Sequence, residues 1–534
     1  MSMHMKKYIK GAIIGLSLIG LTLTSSPAAE AANHKFVMSY IYFGHPDKYI
    51  EAVNQTNGSL DMVSPSYFDL NPDGSLQLTA ALDKNFIAAM HQEGMKVVPF
   101  LSNHWDRNVG IAAMNNKEAL VKQIAKAIET YNLDGVNVDI ENITGKEKDA
   151  FTQFVQMLRA AIPAQKEVSV AVAANPEGWE GDWFGSFDYA ALGKASDYLM
   201  FMTYDESYEG SDPGPVSSLP FVEKSIQQAL KYVPSEKIVI GIPFYGRYWK
   251  SDGSIKGLGI QNTVVDQLVQ KYGGKKVFDE NSQSAKASFV IPAGDPGTSV
   301  HGKKLTAGSY TVWYENDRSI QAKLSLVQKY DLKGAGNWSL NEEADSIWDY
   351  YTAWINNSTF RDIIGHWAES SIQFVSDKGW MTGTASNLFQ PNSSLSRAQA
   401  AAVLVRMTGA TLDQRSSTSL YWDVPANHWA AADIRIAKQE GMIGGRADGS
   451  FGPNQPVTRE ELAVMLSRVL ELTPSTSGTL KFSDVGRDRW SAEAIRSLAD
   501  YGIISGYKDG TFRPKQAVTR AEMAAMMQSV DKLN

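Results

Sequence analysis

The sequence predicts an α/β fold: a (β/α)₈ barrel with a small α+β insertion, followed by a mostly α-helical region of three repeats. Between Asn33 and Ile355, eight short apolar runs alternate with helix-forming segments, as in a (β/α)₈ barrel. In the C-terminal third, the same motifs return every 61–62 residues, which is typical of repeat arrays. Hydrophobic residues make up 43% of the chain and charged residues 20%, which excludes disordered, collagenous and membrane-bundle proteins.

Charge and cysteine content exclude further classes. The formal net charge is −7 and there is no cysteine. Disulfides, thiolate metal sites and cysteine nucleophiles are therefore excluded. The acidic balance weighs against nucleic acid as a partner, because phosphate binding needs a basic surface.

The N-terminus is typical of a secretory signal peptide, which we assign to residues 1–31. Lys6 and Lys7 precede the apolar run of residues 11–24, and small residues surround Ala29 and Ala31. A membrane anchor is the alternative, but this run is shorter than the roughly 20 residues that a spanning helix needs. We predict cleavage after Ala31, no membrane span afterwards and, for a secreted chain without cysteine, the surface of a Gram-positive-type bacterium.

The eight apolar runs are the expected barrel strands. Catalytic groups of such barrels lie at the C-terminal strand ends, so these ends are where functional residues are expected. Amphipathic or Ala/Lys-rich segments, which favour helices, fill most of the gaps, for example Lys117–Tyr131 and Lys148–Ala161. The predicted strands are Phe36–Tyr42, Met62–Tyr67, Lys96–Leu101, Gly135–Ile140, Glu167–Ala173, Tyr198–Thr203, Ile238–Phe244 and Gly334–Ser339.

The candidate catalytic residues lie on the fourth strand. Strand alternation puts Asn137, Asp139 and Glu141 on one face, and polar groups inside a barrel are costly to bury. Two neighbouring carboxylates raise the pKa of one of them, as a general acid near neutral pH requires. An oxygen cluster for Ca²⁺ or Mg²⁺ is the alternative. We predict no metal and no cofactor, since the histidines lack metal-ligand spacing.

The segment Asp134–Glu141 resembles the D-x-x-D-x-D-x-E signature of family 18 glycoside hydrolases. The resemblance extends to strand ends at 202–205 (MTYD), 241–247 (GIPFYGR) and 336–340 (GNWSL), and its nearest branch is that of the spore-cortex N-acetylglucosaminidases. It implies a TIM barrel over residues 32–356 with an insertion near 248–312. Asn137 replaces the usual middle Asp; an Asn can still donate to Asp139, and we expect altered pH dependence, not an inactive enzyme.

The resemblance implies a retaining, substrate-assisted mechanism, in which the 2-acetamido group of the substrate is the nucleophile. Glu141 would be the acid and base, Asp139 and Tyr204 would hold the acetamide, and Trp338 would lie under the reacting sugar, with Asn137 supporting the catalytic group. Tyr245 and Arg247 either line the cleft or only pack, and Asp205 either binds sugar hydroxyls or pairs with Arg247. The expected substrate-binding residues are Trp338, Asp205, Tyr245, Arg247, Tyr42 and Tyr67.

The C-terminal repeats each predict two helices joined by a glycine turn. The second helix of each repeat opens with a capping-box pattern, at Ser396, Thr458 and Thr519. An arginine follows in all three, and helix N-termini favour anions. A helical array without a ligand is the alternative. Serine- and threonine-rich linkers, near 415–419 and 473–479, separate the repeats.

These repeats resemble S-layer homology (SLH) domains, here at 357–410, 420–472 and 481–534. The resemblance implies binding of an acidic, often pyruvylated, secondary cell-wall polymer. In the first repeat Ser396 and Gln399 replace the usual Thr and Glu, so we expect its groove to be weaker or mainly structural. The expected wall-polymer-binding residues are Arg397, Arg459, Arg520, Trp367, Trp429 and Trp490.

Together these features predict a secreted, wall-anchored glycoside hydrolase that cleaves β-1,4 linkages in glycans containing N-acetylglucosamine. The alternatives are a lectin-like surface protein that binds glycans without cutting, and an S-layer structural protein with vestigial catalysis. The sequence leaves chitin versus peptidoglycan, endo versus exo action and the oligomeric state open.

Overall fold

The computed structural model describes residues 34–344, 346–384, 387–412, 421–472 and 481–532. The chain divides into two compact units, one spanning Lys35–Asn357 and the other comprising the repeats from Ser358 onward. The signal peptide predicted over residues 1–31 and the linkers predicted near 415–419 and 473–479 lie outside the described residues. No helix of the described ranges is long and apolar enough to cross a bilayer.

All strands of the described residues lie in the first unit. They are β1 Phe36–Ile41, β2 Met62–Pro65, β3 Phe68–Leu70, β4 Leu76–Leu78, β5 Lys96–Val97, β6 Phe100–Ser102, β7 Gly135–Asp139, β8 Glu167–Ala173, β9 Tyr198–Met202, β10 Ile238–Pro243, β11 Tyr245–Lys250, β12 Leu258–Gln261, β13 Lys275–Asp279, β14 Ser284–Ile291, β15 Thr298–Val300, β16 Lys303–Leu305, β17 Gly308–Tyr314 and β18 Gly334–Trp338.

The helices occupy both units. They are α1 Tyr49–Asn54, α2 Lys84–Gln92, α3 Arg107–Asn115, α4 Lys117–Tyr131, α5 Lys148–Ala161, α6 Tyr189–Ala195, α7 Leu219–Ala229, α8 Asn262–Tyr272, α9 Asp317–Lys329, α10 Tyr351–Ile355, α11 Glu369–Asp377, α12 Arg397–Thr408, α13 Ala431–Gln439, α14 Arg459–Val469, α15 Ala492–Asp500 and α16 Arg520–Asp531. The bounds predicted for α4 and α5 are confirmed. Short 3₁₀ turns include Asp182–Ser186.

The main sheet closes into the predicted barrel. The order β6-β7-β8-β9-β10-β18-β1-β2-β5 is parallel throughout. The two end strands, β5 and β6, are parts of one stretch interrupted at Val98 and Pro99, so the ring is complete. The third strand was predicted as continuous over Lys96–Leu101; it is split because proline has no N–H for the ladder.

Strand alternation sorts the barrel side chains as expected. Val136, Val138 and Ile140 belong to the core between barrel and helices, whereas Tyr40 and Phe100 belong to the cluster inside the barrel. The polar residues of β7 therefore point into the barrel, toward the end where the strand finishes.

The insertion is a small α+β body with its own core. Its antiparallel sheet has the order β12-β11-β17-β14-β13 and is covered by α8. It begins at Tyr245 and ends at Tyr314, wider than the predicted 248–312, because a single residue separates the end of β10 from the start of β11. Tyr245 and Arg247 consequently stand on the insertion sheet.

The second unit is a ring of three helix pairs. The predicted capping boxes are confirmed: Ser396, Thr458 and Thr519 each accept from the N3 backbone N–H, and the N3 side chain bonds back. Isolated bridges link Ser396 to Pro456, Thr458 to Ala517 and Ser394 to Thr519. The third repeat thus pairs with the first, and the array closes on itself around one shared core.

Candidate active site

A cavity of about 330 Å³ opens at the C-terminal ends of the barrel strands. The structure brings together there most of the side chains that the sequence predicted. They are Asp139, Glu141, Tyr204, Asp205, Tyr245, Arg247 and Trp338.

Burial raises the pKa of both carboxyl groups of the fourth strand. Burial raises the pKa of Asp139 from 3.8 to about 7, against a smaller lowering by His104. Burial, and next the negative charges of Asp139 and Asp205, raise the pKa of Glu141 well above its usual range. Oδ1 of Asp139 is buried and has no hydrogen-bond partner among the described residues. The pocket therefore offers a proton donor beside an acceptor that lacks a donor.

The backbone of Glu141 is clamped from the third strand. Its N–H donates to Oδ1 of Asn103 at 2.9 Å, and Nδ2 of Asn103 donates back to its carbonyl at 2.8 Å. Asn103 is itself buried. The side chain of Glu141 therefore starts from a fixed main chain, as acid catalysis requires.

Asn137 differs from the expectation. The hydroxyl of Tyr40 donates to its Oδ1 at 2.9 Å, and its Nδ2 donates to Oγ of Ser169 at 2.9 Å. The donation to Asp139 that an Asn could make is therefore not formed. The reason is register: Ser169 lies directly opposite Asn137 on β8, so the amide of Asn137 bonds to the neighbouring strand and Oδ1 of Asp139 has no partner among the described residues.

Tyr204 reaches the pocket because of a glycine. A Cβ at Gly241 would lie 2.7 Å from Cε1 of Tyr204 and 2.9 Å from the carbonyl of Phe201. Such contacts are not tolerated, so only glycine leaves room for this ring. Burial raises the pKa of Tyr204 well above its usual value, and its hydroxyl is a neutral donor.

Asp205 is hydrogen-bonded to two residues of the insertion, Tyr245 and Arg247. Nε and Nη2 of Arg247 donate to its two carboxylate oxygens at 2.8 and 2.6 Å, and the Tyr245 hydroxyl donates to Oδ1 at 2.6 Å. Of the alternatives for Asp205, the pair with Arg247 is the one formed. The Asp205 side chain is 39% exposed, and it also lines the cavity.

Trp338 closes the base of the cavity within an aromatic cluster. Its ring centroid lies 5.2 Å from that of Tyr40, 5.9 Å from Phe100 and 5.6 Å from Tyr42. Tyr42 is 39% exposed and stands beside Trp338 at the end of β1.

Tyr67 does not belong to the site. Its side chain is fully buried in the core between barrel and helices, so the prediction that it binds substrate is wrong. The physical reason is the turn after β2, where the N–H of Tyr67 bonds back to the carbonyl of Pro65 and the chain leaves the strand direction.

Sequence reasoning missed Trp105 and Glu342, which also line the cavity. Trp105 follows the end of β6 and Glu342 follows β18, so the rule that functional groups gather at strand ends would have found both. Burial, with a further contribution from Glu343, raises the pKa of Glu342 to about 8, while Arg247 lowers it. No cluster of three or more potential metal ligands occurs in the part of the chain that the structure describes.

The three repeat arginines are buried between repeats, at 4–6% exposure. Nε of Arg397 donates to the carbonyl of Phe451, and Nη1 pairs with Glu461 at 2.6 Å. Arg459 repeats this arrangement on Phe512 and Glu522. Each guanidinium thus joins its repeat to the next, and binding of a wall polymer by these three arginines stays a prediction.

Arg520 closes this ring with fewer bonds. Nε donates to the carbonyl of Phe389 at 2.7 Å and Nη2 to that of Thr382 at 2.6 Å. No carboxylate of the described residues reaches its Nη1, because Gln399 stands where the other repeats have Glu461 and Glu522.

The tryptophans of the repeats remain open to solvent. Trp367, Trp429 and Trp490 are 60–63% exposed. A cavity of about 280 Å³ lies between repeats, lined by Trp367, Arg459, Tyr507 and Glu522 among others. A flat aromatic face beside a guanidinium is suited to an anionic sugar.

Comparison with protein-family models assigns both parts of the chain. Residues 37–343 match the model described as glycosyl hydrolases family 18. Residues 359–401, 421–463 and 481–524 match the S-layer homology domain.

Curated sequences give partial matches. The uncharacterized glycosylase YvbX of Bacillus subtilis is 29% identical over 46% of this chain and 69% of its own length. The cortical fragment-lytic enzyme of Bacillus subtilis is 27% identical over 43% of this chain and 52% of its own. An S-layer protein of Bacillus licheniformis is 31% identical over 33% of this chain and 20% of its own.

Solved structures share the fold. A chitinase from Chromobacterium violaceum has a TM-score of 0.53 at 26% identity, covering 60% of this chain and 99% of that one. The spore cortex-lytic enzyme SleL of Bacillus cereus has a TM-score of 0.53 at 20% identity, covering 61% and 74%.

Proposed function

The chain belongs to glycosyl hydrolases family 18 and carries three S-layer homology domains, and from this premise we propose that it hydrolyses β-1,4 linkages in glycans containing N-acetylglucosamine. It is a glycoside hydrolase associated with the cell surface. The finer proposal concerns which sugars react and how. One observation carries it: the unpartnered Oδ1 of Asp139 lies beside Glu141, whose pKa is raised by burial, in a cavity lined by Trp338.

The reaction we propose is substrate-assisted. The acetamide oxygen of the substrate attacks the anomeric carbon while Glu141 protonates the departing glycosidic oxygen, and the bond to that oxygen breaks. Glu141, now a carboxylate, takes a proton from water, and the water opens the cyclic intermediate with overall retention. The nucleophile is tethered to the reacting sugar, so the attack gains from high effective molarity.

The cavity supplies partners for the acetamide. Its N–H would donate to Oδ1 of Asp139, which gives this buried oxygen the bond it lacks. The neutral hydroxyl of Tyr204 would donate to the acetamide oxygen. Trp338 would lie against the apolar face of the sugar, and the Asp205–Arg247 pair would receive its hydroxyls. The bond from the acetamide N–H to Asp139 would strengthen as positive charge develops on the acetamide, which would lower the barrier.

Only 2-acetamido sugars can react in this way. Chitin and peptidoglycan glycan strands both present such a sugar, and the relatives are a chitinase on one side and cortex-lytic enzymes on the other. The substrate class we propose is therefore N-acetylglucosamine-containing polysaccharide. The bond that breaks joins the anomeric carbon of the N-acetyl sugar to the glycosidic oxygen that Glu141 protonates.

The repeats provide the anchoring. We propose that they bind an acidic, pyruvylated wall polymer after removal of residues 1–31 during secretion, in a Gram-positive-type wall. The exposed Trp367 beside Arg459 supports this, because stacking and a guanidinium together suit an acidic sugar. Residues 32–356 would form the catalytic domain, and 357–410, 420–472 and 481–534 the three repeats.

The test is product analysis by mass spectrometry on the full chain. Chitooligosaccharides and peptide-trimmed peptidoglycan strands would be given separately to wild type, Glu141→Gln and the control Glu118→Gln, which changes an exposed carboxylate on α4. We expect cleavage by wild type and the control, and none by Glu141→Gln. Bound but uncut glycan with all three proteins would instead support a lectin-like function.

A further inference from the structure

A histidine–aspartate pair lies near the catalytic end of the fourth strand, and the mechanism above does not use it. Nε2 of His104 lies 2.8 Å from Oδ1 of Asp69. A carboxylate only accepts hydrogen bonds, so the imidazole is the donor. The side chain of His104 is 46% exposed and that of Asp69 is 23% exposed. The pair is therefore neither sealed in the core nor free in solvent.

Sheet register brings this pair close to Asp139. The strands β3, β6 and β7 are neighbours in the barrel. Asp69 on β3 lies opposite Ser102 on β6, and Ser102 lies opposite Asp139 on β7. Neighbouring strands are about 4.8 Å apart, so the backbones of Asp69 and Asp139 are about 10 Å apart. His104 follows the strand between them, and its ring reaches to Asp69.

The loop that carries His104 is fixed against β6 and β7. The N–H of His104 donates to Oγ of Ser102 at 3.0 Å, and the preceding Asn103 is bonded to the N–H and the carbonyl of Glu141. His104 has a φ of 48°, which is uncommon for a residue other than glycine, and such conformations cluster at functional sites. The imidazole is therefore held near the end of β7 before any substrate binds.

The titratable groups around Asp139 come from several elements of the barrel. Burial raises the pKa of Asp139 to about 7, and among the described residues His104 is the charged group that lowers it. The two tyrosines of this set are neutral and its other acids are neutral or negative, so His104 is the member that can carry a positive charge. The set is Glu141 from β7, Tyr40 from β1, Tyr204 after β9, His104 after β6 and Asp69 from β3.

The charge of Asp139 matters for the proposed reaction. A carboxylate accepts from the acetamide N–H more strongly than a neutral acid does, and it stabilises the positive charge that develops on the acetamide. We propose that His104, oriented by Asp69, is a positioning residue whose positive charge keeps Asp139 in the carboxylate form. This inference rests on the proposed function and adds to it the group that keeps the acetamide acceptor charged.

The first test is the pH dependence of kcat/KM for the full-length protein on a chromogenic chitobioside. His104→Gln removes the positive charge and keeps a polar side chain, whereas His104→Lys keeps a positive charge at this position. The matched control is His91→Gln. It removes the ring of a similar pair, in which Nε2 of His91 lies 2.7 Å from Oδ2 of Asp134 at the opposite end of β7.

For His104→Gln we expect the acid limb of the profile to move to higher pH by about half a unit to one unit, because one nearby, partly screened positive charge is lost. This limb reports the ionisation of Asp139 in the free enzyme. On the acid side of the limb, kcat/KM should fall about three- to tenfold. The limb of His104→Lys should stay at or below the wild-type position, and the control should match wild type. An unmoved limb in His104→Gln, or equal shifts in the Gln and Lys variants, would overturn the inference.

A second measurement separates this inference from the hydrolase proposal. Carbon-13 labelling of the aspartate carboxyl groups permits an NMR titration of the full-length chain, and the signal that is lost in Asp139→Asn identifies Asp139. Its midpoint should rise in His104→Gln by the same amount as the acid limb, and should not rise in His104→Lys. An unchanged midpoint in His104→Gln would refute the role of His104. If wild type and Glu141→Gln both leave every glycan intact, the hydrolase proposal fails, whereas this titration still decides whether His104 sets the charge of Asp139.

Discussion

Gln399→Glu would supply the partner that Arg520 lacks in the ring of repeats. In the second and third repeats, one oxygen of Glu461 or Glu522 completes the capping box and the other meets an arginine. In the first repeat Gln399 completes the capping box through its oxygen, which leaves an amide group where the other repeats have a carboxylate. The substitution therefore restores an arrangement that the chain already builds twice.

The magnitude follows from burial. Arg520 is 6% exposed, so its own desolvation cost is already present in the wild type. A hydrogen bond to a charged group contributes about 1.5–3 kcal/mol, and partial desolvation of the new carboxylate offsets part of this. We expect a net gain of about 1–2 kcal/mol in the free energy of unfolding of the repeats. For a unit of this size that corresponds to a Tm higher by about 2–8 °C.

The assay is scanning calorimetry of the full chain. Glu461→Gln identifies the transition of the repeats, because it leaves Arg397 buried without its carboxylate and should lower that Tm by more than Gln399→Glu raises it. Gln92→Glu, on α2 of the barrel, controls for the change in net charge. If Gln399→Glu leaves the transition unmoved or lowers it, Arg520 does not lack a partner and the reasoning is refuted.

Three further predictions concern the barrel. Gly241→Ala should cost about 1–3 kcal/mol by overpacking and reduce kcat by displacing Tyr204; unchanged kcat with a normal melting curve would contradict the geometry. The folded protein holds a proton on Asp139 that the unfolded chain has released, so the stability of the barrel should fall from about pH 4 to pH 7; denaturant titrations should show that Asp139→Asn flattens this fall, and an unchanged slope would count against it. Asn137→Asp adds a buried negative charge, so the alkaline limb of the pH–rate profile should move to higher pH as the pKa of Glu141 rises; a shift to lower pH would reverse our reading.

The fold was predictable because its signals are periodic. Eight apolar runs and a 61–62-residue repeat can still be recognised when single residues depart from the pattern. The bounds of α4 and α5 follow from their amphipathic spacing and flanking residues. The exceptions are local chemistry: Pro99 splits the third strand, and β11 begins at once after β10. Neither changes the sheet order, so the architecture stands.

The site was predictable only where residues lie on strands. Asp139 and Glu141 face the cavity because alternation along β7 fixes them. Tyr67 was misplaced because a turn, which alternation does not describe, carries it into the core. Trp105 and Glu342 were missed because loops bring them to the cavity from positions that no periodicity marks.

The repeat arginines show a second limit of prediction from sequence: long-range contacts. Three arginines in register at helix starts fit anion binding and inter-repeat bonding equally well in sequence. Only the structure shows that Arg397 reaches the carbonyl of Phe451 and Arg459 that of Phe512. A contact across more than 50 residues leaves no trace in local spacing.

The closed ring of repeats has a consequence for biosynthesis. Arg520 donates to the carbonyls of Phe389 and Thr382, which precede it by 131 and 138 positions. On the ribosome, the first repeat therefore emerges long before the side chain that completes it. Until the last helix leaves the exit tunnel, the carbonyl of Phe389 depends on water, and a chain released early keeps an open edge that a chaperone or a protease can recognise.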